Sequence, residues 1–367
     1  MRDPQRILLV RLSHLGDVVH ALPLFHALRS RFPAARIAWV TQPEYAELVA
    51  PLPGLERVLV FGRREGARAW LRLRDDIQAF DPDLAVDAQG NFKSALAVLS
   101  AGSARRVGLH RCDWREPLGA LALSETAPPA PGGAPHAVDR MLALARHLTG
   151  AGDEPRCDPA LSDAERAHGR EVLERLLPAR RAGAERAVLV QLAAAGDVRS
   201  WPAEHFERLL RALDAAGRPA LAISGPAEEA LGRELEASLG AGSGRIAHWV
   251  GQRGLRELAA LFQAAGERGA LLVACDSGPM HLAAACGLRV LALSGPQDHG
   301  RTGPWPPAAP MHAHAANGHP HRVLRADPGP ACAPCFARRC SHERGPVCMR
   351  DITAARAAEA ALELTSA

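Results

Sequence analysis

Five short segments carry residue types that could do chemistry on a polar, anionic substrate. In RLSHLGDVVHALP (residues 11–23) a strand ends at Leu12, and Gly16 precedes Asp17. Glycine lets a backbone turn tightly or approach a ligand. Asp17 would lie at the carboxyl edge of the first strand, where α/β sheets bind ligands. The same aspartate also suits a plain helix N-cap. In VDAQGNFKSAL (86–96) Gln89 and Asn91 offer amides and Lys93 an ammonium. Together they could hold a polar or anionic group where a helix begins. An ordinary βα turn with a solvated lysine fits the same residues.

VRSWPAEHF (198–206) places Arg199 just before a helix start marked by Pro202, close to where an anion would bind. In ACDSGPMHLAAACG (274–287) a strand runs into Asp276, Ser277 and Gly278, and His281 follows on a helix. Helix-start amides, a small glycine and a hydroxyl suit a diphosphate. Asp276 could accept hydrogen bonds from a sugar or base. SGPQDHGRTGPW (294–305) supplies a polar loop at the next strand end. No Walker loop, no GxGxxG after the first strand and no GxSxG elbow is present, which weighs against P-loop, dinucleotide-oxidoreductase and serine-hydrolase chemistry.

These segments need a scaffold of alternating strands and helices. Strand candidates are RILLVRL (6–12), RIAWVTQ (36–42), RVLVF (57–61) and LAVDAQ (84–89). A second series is AVLVQL (187–192), PALAISG (219–225), RIAHWVG (245–251), ALLVACDS (270–277) and RVLALSG (289–295). Continuous apolar runs of this kind fit buried parallel strands joined by helical crossovers. Helices are expected over VDRMLALARHL and 162–182, then at 202–216, 227–239, 254–265, 279–286 and 353–365. SETAPPAPGGAP (124–135) reads as a loop. The chain of 367 residues fits two α/β domains at roughly 100–200 residues each, with a ligand cleft between them. The expected divisions are 1–183, 184–345 and a C-terminal helix over 346–367.

Bulk properties narrow the class. The net charge of +4 is too small to argue for nucleic acid. No apolar run reaches the roughly 18 residues of a membrane span, and the N-terminus lacks the shape of a signal peptide. A cytoplasmic location is expected. Lys93 is the single lysine among 44 basic residues. Four of eight cysteines, Cys332, Cys335, Cys340 and Cys348, crowd the C-terminal end. The CxxC pair has zinc-site spacing, but the later gaps match no standard finger. A structural zinc, a thiol pair and unligated cysteines all remain open. GRREGARAWLRLRD (62–75) mixes Arg63, Arg64, Arg68, Arg72 and Arg74 with apolar residues. Such a segment can rest on an anionic membrane surface, or form a solvated helix with one core face.

Taken together, the segments resemble glycosyltransferase family nine, the ADP-heptose:lipopolysaccharide heptosyltransferases, and within it heptosyltransferase I. The resemblance runs in order along nearly the whole chain. LLVRLSHLGDVVHALPLFHALR resembles the family's N-terminal signature and DAQGNFKSAL its DxQGxxKS segment. RSWPAEHF resembles KxWPxEHF, DSGPMHLAAACG resembles DSGxxHLAAALG, and GPQDHGRTGPW resembles GPTDPxRTGPW. The resemblance implies a GT-B fold of two Rossmann-like domains, the first binding the acceptor and the second the nucleotide sugar. It implies an inverting, metal-independent transfer of heptose from ADP-heptose to the Kdo-lipid A inner core. The lack of a DxD-type acidic pair at the proposed diphosphate loops agrees with metal independence.

By the same resemblance Asp17 is the general base. Arg199 takes the place of the family's lysine near the diphosphate. Asp276, Ser277, Gly278 and His281 line the nucleotide site, with Glu228 of GPAEE toward the nucleoside. Gly16, Gln89 and Lys93 fall to the acceptor, and Arg63 and Arg64 of the basic segment are expected to reach its phosphates. Peripheral contact with the inner membrane is implied, and a similar cysteine cluster occurs in some members. Two departures stand out: arginine for lysine at 199, and a preceding QLAAAGDV that lacks the hydroxyls some relatives place there. Other readings are a family-nine transferase with another donor or a second heptose to add, a non-catalytic nucleotide-sugar binder, and a metal or redox protein built on the cysteines.

Overall fold

Val, Leu and Ile dominate most of the strand candidates because most of these strands are buried, which leaves no polar side to alternate with. The computed structural model describes residues 3–132, 135–152, 155–177, 186–193, 196–239, 245–251, 253–307, 309–311 and 320–366. The chain divides into two units, Met1–Ala160 and Leu161–Ala367.

The first unit contains β1 (Arg6–Val10), α1 (Leu15–Arg31), β2 (Arg36–Thr41), α2 (Pro43–Val49), β3 (Leu55–Val60), α3 (Gly66–Phe80), β4 (Leu84–Asp87), α4 (Phe92–Ser100), β5 (Arg105–Gly108), β6 (Glu125–Thr126) and α5 (Ala137–Thr149). Its six strands are parallel and ordered β3-β2-β1-β4-β5-β6. The chain leaves β1 toward β2 and β3, then crosses back to β4 and continues to β5. Right-handed crossovers therefore put α3 and α4 on one face. There Ala69, Leu73, Ile77, Ala97 and Val98 share a core with Leu8 and Val10 of β1. Helices α1 and α5 pack together.

The second unit contains α6 (Asp163–Leu176), β7 (Val188–Gln191), α7 (Ala203–Ala215), β8 (Ala220–Ser224), α8 (Glu229–Leu239), β9 (Ile246–Val250), α9 (Leu255–Glu267), β10 (Leu271–Cys275), α10 (Gly278–Ala285), β11 (Arg289–Leu293), α11 (His299–Thr302), β12 (Ala309–Pro310), β13 (Arg322–Leu324), α12 (Val347–Arg350) and α13 (Ala354–Ser366). Its parallel sheet runs β12-β13-β11-β10-β7-β8-β9. Phe206, Leu209, Leu210 and Leu213 of α7 bury against Val188 and Val190 of β7 and against Ala357 and Ala361 of α13. Trp201 is buried, packs on Phe206, and donates its indole N–H to Ile352 O at 2.8 Å. It is a packing residue.

Two expected boundaries move. The division near 183–186 falls earlier, after Ala160, because α6 packs on α9 of the second unit. Arg256 grips Glu165 with Nε at 2.5 Å and Nη2 at 2.7 Å, and this pair holds the Glu165 carboxyl down to about 2. Residues 183 and 184 themselves lie outside the described residues. The C-terminal helix is not separate either: α13 packs on α7 and shares the second core. No described helix is long and apolar enough to cross a membrane.

One buried histidine ties the stability of the second unit to pH. His321 accepts the Val290 N–H at Nδ1 (3.2 Å) and meets Trp305 O at Nε2 (3.2 Å). A proton on Nδ1 would face another N–H, and burial lowers its pKa from 6.5 to about 4. The folded pKa is depressed, so the stability is present above about pH 6.5 and lost as pH falls through about 4. The difference amounts to about 3 kcal/mol. Urea midpoints recorded across this window should fall for the wild type. His321→Asn, which keeps an acceptor but cannot titrate, should show a flatter profile.

Candidate active site

Both sheets reverse direction at one point, between β1 and β4 in the first unit and between β7 and β10 in the second. At such a point neighbouring loops leave the sheet toward opposite faces and open a crevice at the carboxyl ends. Asp17, Gln89 and Lys93 lie by the first crevice and Arg199, Asp276, Ser277, Gly278 and His281 by the second.

In the first unit the loops after β1 and β4 are clasped together. Leu12 N–H donates to Gln89 Oε1 at 2.6 Å, and Arg11 Nη1 donates to Ala88 O. The Arg11 side chain is mostly buried, and its Nη2 stands 2.7 Å from Asp17 Oδ1. Asp17 Oδ2 accepts the His14 N–H at 3.1 Å. Asp17 is therefore not the N-cap, which is His14; it is the third residue of α1. Gly16 is buried inside the first turn of that helix. With a guanidinium on one oxygen and a backbone N–H on the other, the carboxylate has a fixed direction, yet its side chain is 39% exposed. It is oriented and reachable at once.

The Gln89 turn is built from below by Asp87. Its Oδ1 accepts the N–H groups of Gln89 and Gly90, both at 2.8 Å. Asp87 is fully buried, and burial pushes its carboxyl pKa up against these hydrogen bonds. Its Oδ2 has no hydrogen-bond partner among the described residues. Gly90 has φ +75°, and a Cβ there would stand 3.2 Å from the Trp114 ring, so only glycine fits comfortably. Asn91 caps α4 by accepting Ser94 N–H at 3.0 Å. Lys93 is exposed on the first turn of α4.

Arg63 and Arg64 lie in a 3-10 turn, Arg63–Glu65, beyond the end of β3. That is two strands away from the β1/β4 crevice. Tyr45, the only tyrosine of the chain, stands between the two places. Burial raises its pKa, the Glu44 and Asp17 charges add to the shift, and Arg63 opposes it. Arg11, Tyr45 and Asp87 escaped the sequence reading. Arg11 and Asp87 each sit at a strand end within a segment that was singled out, 11–23 and 86–96, and that position was the available signal.

In the second unit the loops after β7 and β10 bring Arg199 toward Asp276. Arg199 is held by its own neighbour: Nε and Nη2 reach the two oxygens of Asp197 at 3.0 and 2.7 Å. This pairing raises the guanidinium pKa and lowers that of the carboxyl. Ser277 is the N-cap of α10 and Gly278 its first residue. The Ser277 hydroxyl is buried without a hydrogen-bond partner among the described residues. A buried hydroxyl left this way is costly, and at a helix N-terminus it is ready for an anionic oxygen. His281 Nε2 lies 3.5 Å from Asp276 Oδ1, both largely buried. Glu228 sits after β8 and accepts the Gly225 N–H at 3.1 Å. Gln191 Oε1, at the end of β7, and His299 Nδ1, at the start of α11, are also buried without partners among the described residues.

The cysteines gather around Cys348. Burial raises its pKa first, and Cys335, Cys332 and Cys340 add to the shift. Cys335 is tied by its N–H to Pro296 O in the loop after β11. Among the described residues no three His, Cys, Asp or Glu side chains are arranged to hold a metal ion. The four thiols are neighbours in the fold.

Two parallel α/β units of this kind make up the GT-B fold. Solved structures bear this out. The chain is similar to "E. coli heptosyltransferase WaaC with ADP" at 23% identity, covering 98% of this chain and 99% of that one, with a TM-score of 0.69. It is similar to a family 9 glycosyl transferase from Veillonella parvula at 18% identity, covering 99% and 97%, with a TM-score of 0.73. The chain belongs to glycosyltransferase family 9 (heptosyltransferase), whose sequence profile matches residues 70–326. It is 29% identical to lipopolysaccharide heptosyltransferase 1 of Pseudomonas aeruginosa over 347 residues, 92% of this chain and 88% of that protein.

Proposed function

We propose that this chain transfers a heptose from ADP-heptose to the Kdo-lipid A inner core of lipopolysaccharide, inverting the anomeric centre. Family membership and the likeness to lipopolysaccharide heptosyltransferase 1 support this reading. The observation that carries it is the Asp17 carboxylate, aimed by Arg11 and His14 yet open to solvent.

The reaction follows from these parts. A sugar hydroxyl is a poor nucleophile until its proton is removed. Asp17 takes that proton as the hydroxyl attacks the anomeric carbon from the face opposite the leaving ADP. One displacement inverts the centre, as in inverting glycosidases. Negative charge grows on the departing diphosphate, and Arg199, the Ser277 hydroxyl and the first amides of α10 meet it. Asp276, His281 and Glu228 hold the nucleoside and sugar. Gln89, Lys93, Arg63 and Arg64 receive the acceptor's acidic groups. No metal takes part in this scheme, and the cysteines are structural. The protein works in the cytoplasm, at the inner face of the membrane that holds its acceptor.

The test is ADP release from ADP-heptose, with and without a truncated Kdo-lipid A, in EDTA. Acceptor-dependent release that survives EDTA is expected. Loss of release in EDTA would overturn metal independence, and metal analysis of the same preparation would show whether the cysteines carry an ion. A different donor is the second reading, favoured by the Arg199–Asp197 pair in place of a lysine. Release from another nucleotide sugar, with none from ADP-heptose, would establish it.

A further inference from the structure

The first unit exposes an apolar surface that its own fold does not use. Phe92, Leu96 and Leu99 recur at i, i+4 and i+7 on α4, so they share one face, and they are 53%, 47% and 50% exposed. The opposite face, with Ala97 and Val98, is buried, and Ala95 is buried at the edge of the exposed one. A 3-10 turn, Pro117–Ala122, packs on the same helix. Gly119 seats it: a Cβ at Gly119 would stand 3.5 Å from Ala95 Cβ and 2.6 Å from the Trp114 ring. Glu116 fastens the join by accepting Phe92 N–H at 2.7 Å. Leu118 and Leu121 are left 71% and 85% exposed. Five large apolar side chains on two joined elements form a patch rather than a scatter, and such patches mark interaction surfaces.

The surrounding charge selects the partner. Lys93, Arg111 and Arg115 are exposed and form no ion pair among the described residues. The acidic residues of the segment are already engaged: Asp113 pairs with Arg140 and Glu116 with Phe92 N–H. An apolar centre with a cationic border matches a bilayer surface, where leucines enter the acyl boundary and cations meet anionic headgroups. A second copy of the chain fits less well, because a two-fold contact would set the same cations against each other. We infer that α4 and the 117–122 turn dock the protein on an anionic lipid surface, with Leu118 and Leu121 entering it. This rests on the proposed reading of a lipid-linked acceptor, and it moves the membrane contact from the arginine-rich α3 to α4 and its turn.

The experiment is flotation with phosphatidylcholine vesicles, with and without phosphatidylglycerol, using the whole protein. The wild type should float with anionic vesicles, and Leu118→Glu/Leu121→Glu should bind them about a hundredfold more weakly, about tenfold per leucine. The double variant should process a soluble, deacylated acceptor at the wild-type rate. Undiminished flotation of the double variant would overturn the inference, as would loss of flotation in Arg68→Glu alone. A wild-type dimer that dissociates in the double variant would assign the patch to a second copy instead. A wild type that never floats yet processes the soluble acceptor would remove the docking surface and leave the transferase reading standing. A wild type that processes neither acceptor would remove the transferase reading itself.

Discussion

Asp17→Asn should lower kcat by about 10²–10⁴-fold, the usual contribution of a positioned general base, with little change in KM for the donor. Asparagine keeps the size of the side chain and can still accept the His14 N–H. It cannot take a proton from the acceptor. The variant also removes the partner of a mostly buried guanidinium, since Arg11 relies on Asp17. A buried charge left alone destabilises a fold, so the thermal midpoint must be measured beside the rate. A variant that folds, binds ADP-heptose and does not turn over supports the assignment. Near wild-type turnover in the asparagine variant would place the base elsewhere.

Arg199→Met should lower kcat by about 10²–10³-fold, the scale seen when one preorganised donor to a developing charge is removed. The arginine is not free to act at full strength, because Asp197 holds both arms of its fork. Asp197→Asn should therefore move activity the other way, with ADP held more tightly because one competing anion is gone. Calorimetric ADP binding and steady-state rates on both variants separate these effects. If Arg199→Met turned over like the wild type, the Ser277 hydroxyl and the α10 amides would be handling the phosphates alone. Arg199→Lys should fall between, since an ammonium cannot reproduce the bidentate pairing with Asp197.

The parts legible in the sequence were those written as local pattern. All nine strand candidates form strands, and most are buried parallel strands, which read as continuous apolar runs. The helices from α7 to α10 and α13 lie within a few residues of their expected positions, because their starts and ends carry Pro, Gly and polar signals. The missed strands β5, β6, β12 and β13 are short, from two to four residues each. Two begin at arginine and two lie in Pro- or Ala-rich stretches, so periodicity had nothing to count. The boundary was misplaced because α6 looks like a solvated helix. Its allegiance depends on Arg256, about ninety residues further on, which no local window contains. The site was legible as separate strand-end motifs. The Arg11 link to Asp17 and the Asp197 claim on Arg199 were not, because both are geometric. Arg63 and Arg64 were read as acceptor residues from the charge of their segment, and their place two strands from the β1/β4 crevice is topology that only the folded chain reveals.

The allegiance of α6 determines how this protein can be dissected. A fragment starting at Leu161 carries its own clamp, Glu165 in the fork of Arg256. One starting at 184 would strip α9 of its covering helix and strand a buried guanidinium in an otherwise complete Rossmann half. The shorter piece would look like the natural nucleotide-binding module on paper and would behave as a damaged one in the tube. The seam that matters for dividing the chain therefore lies before the helix.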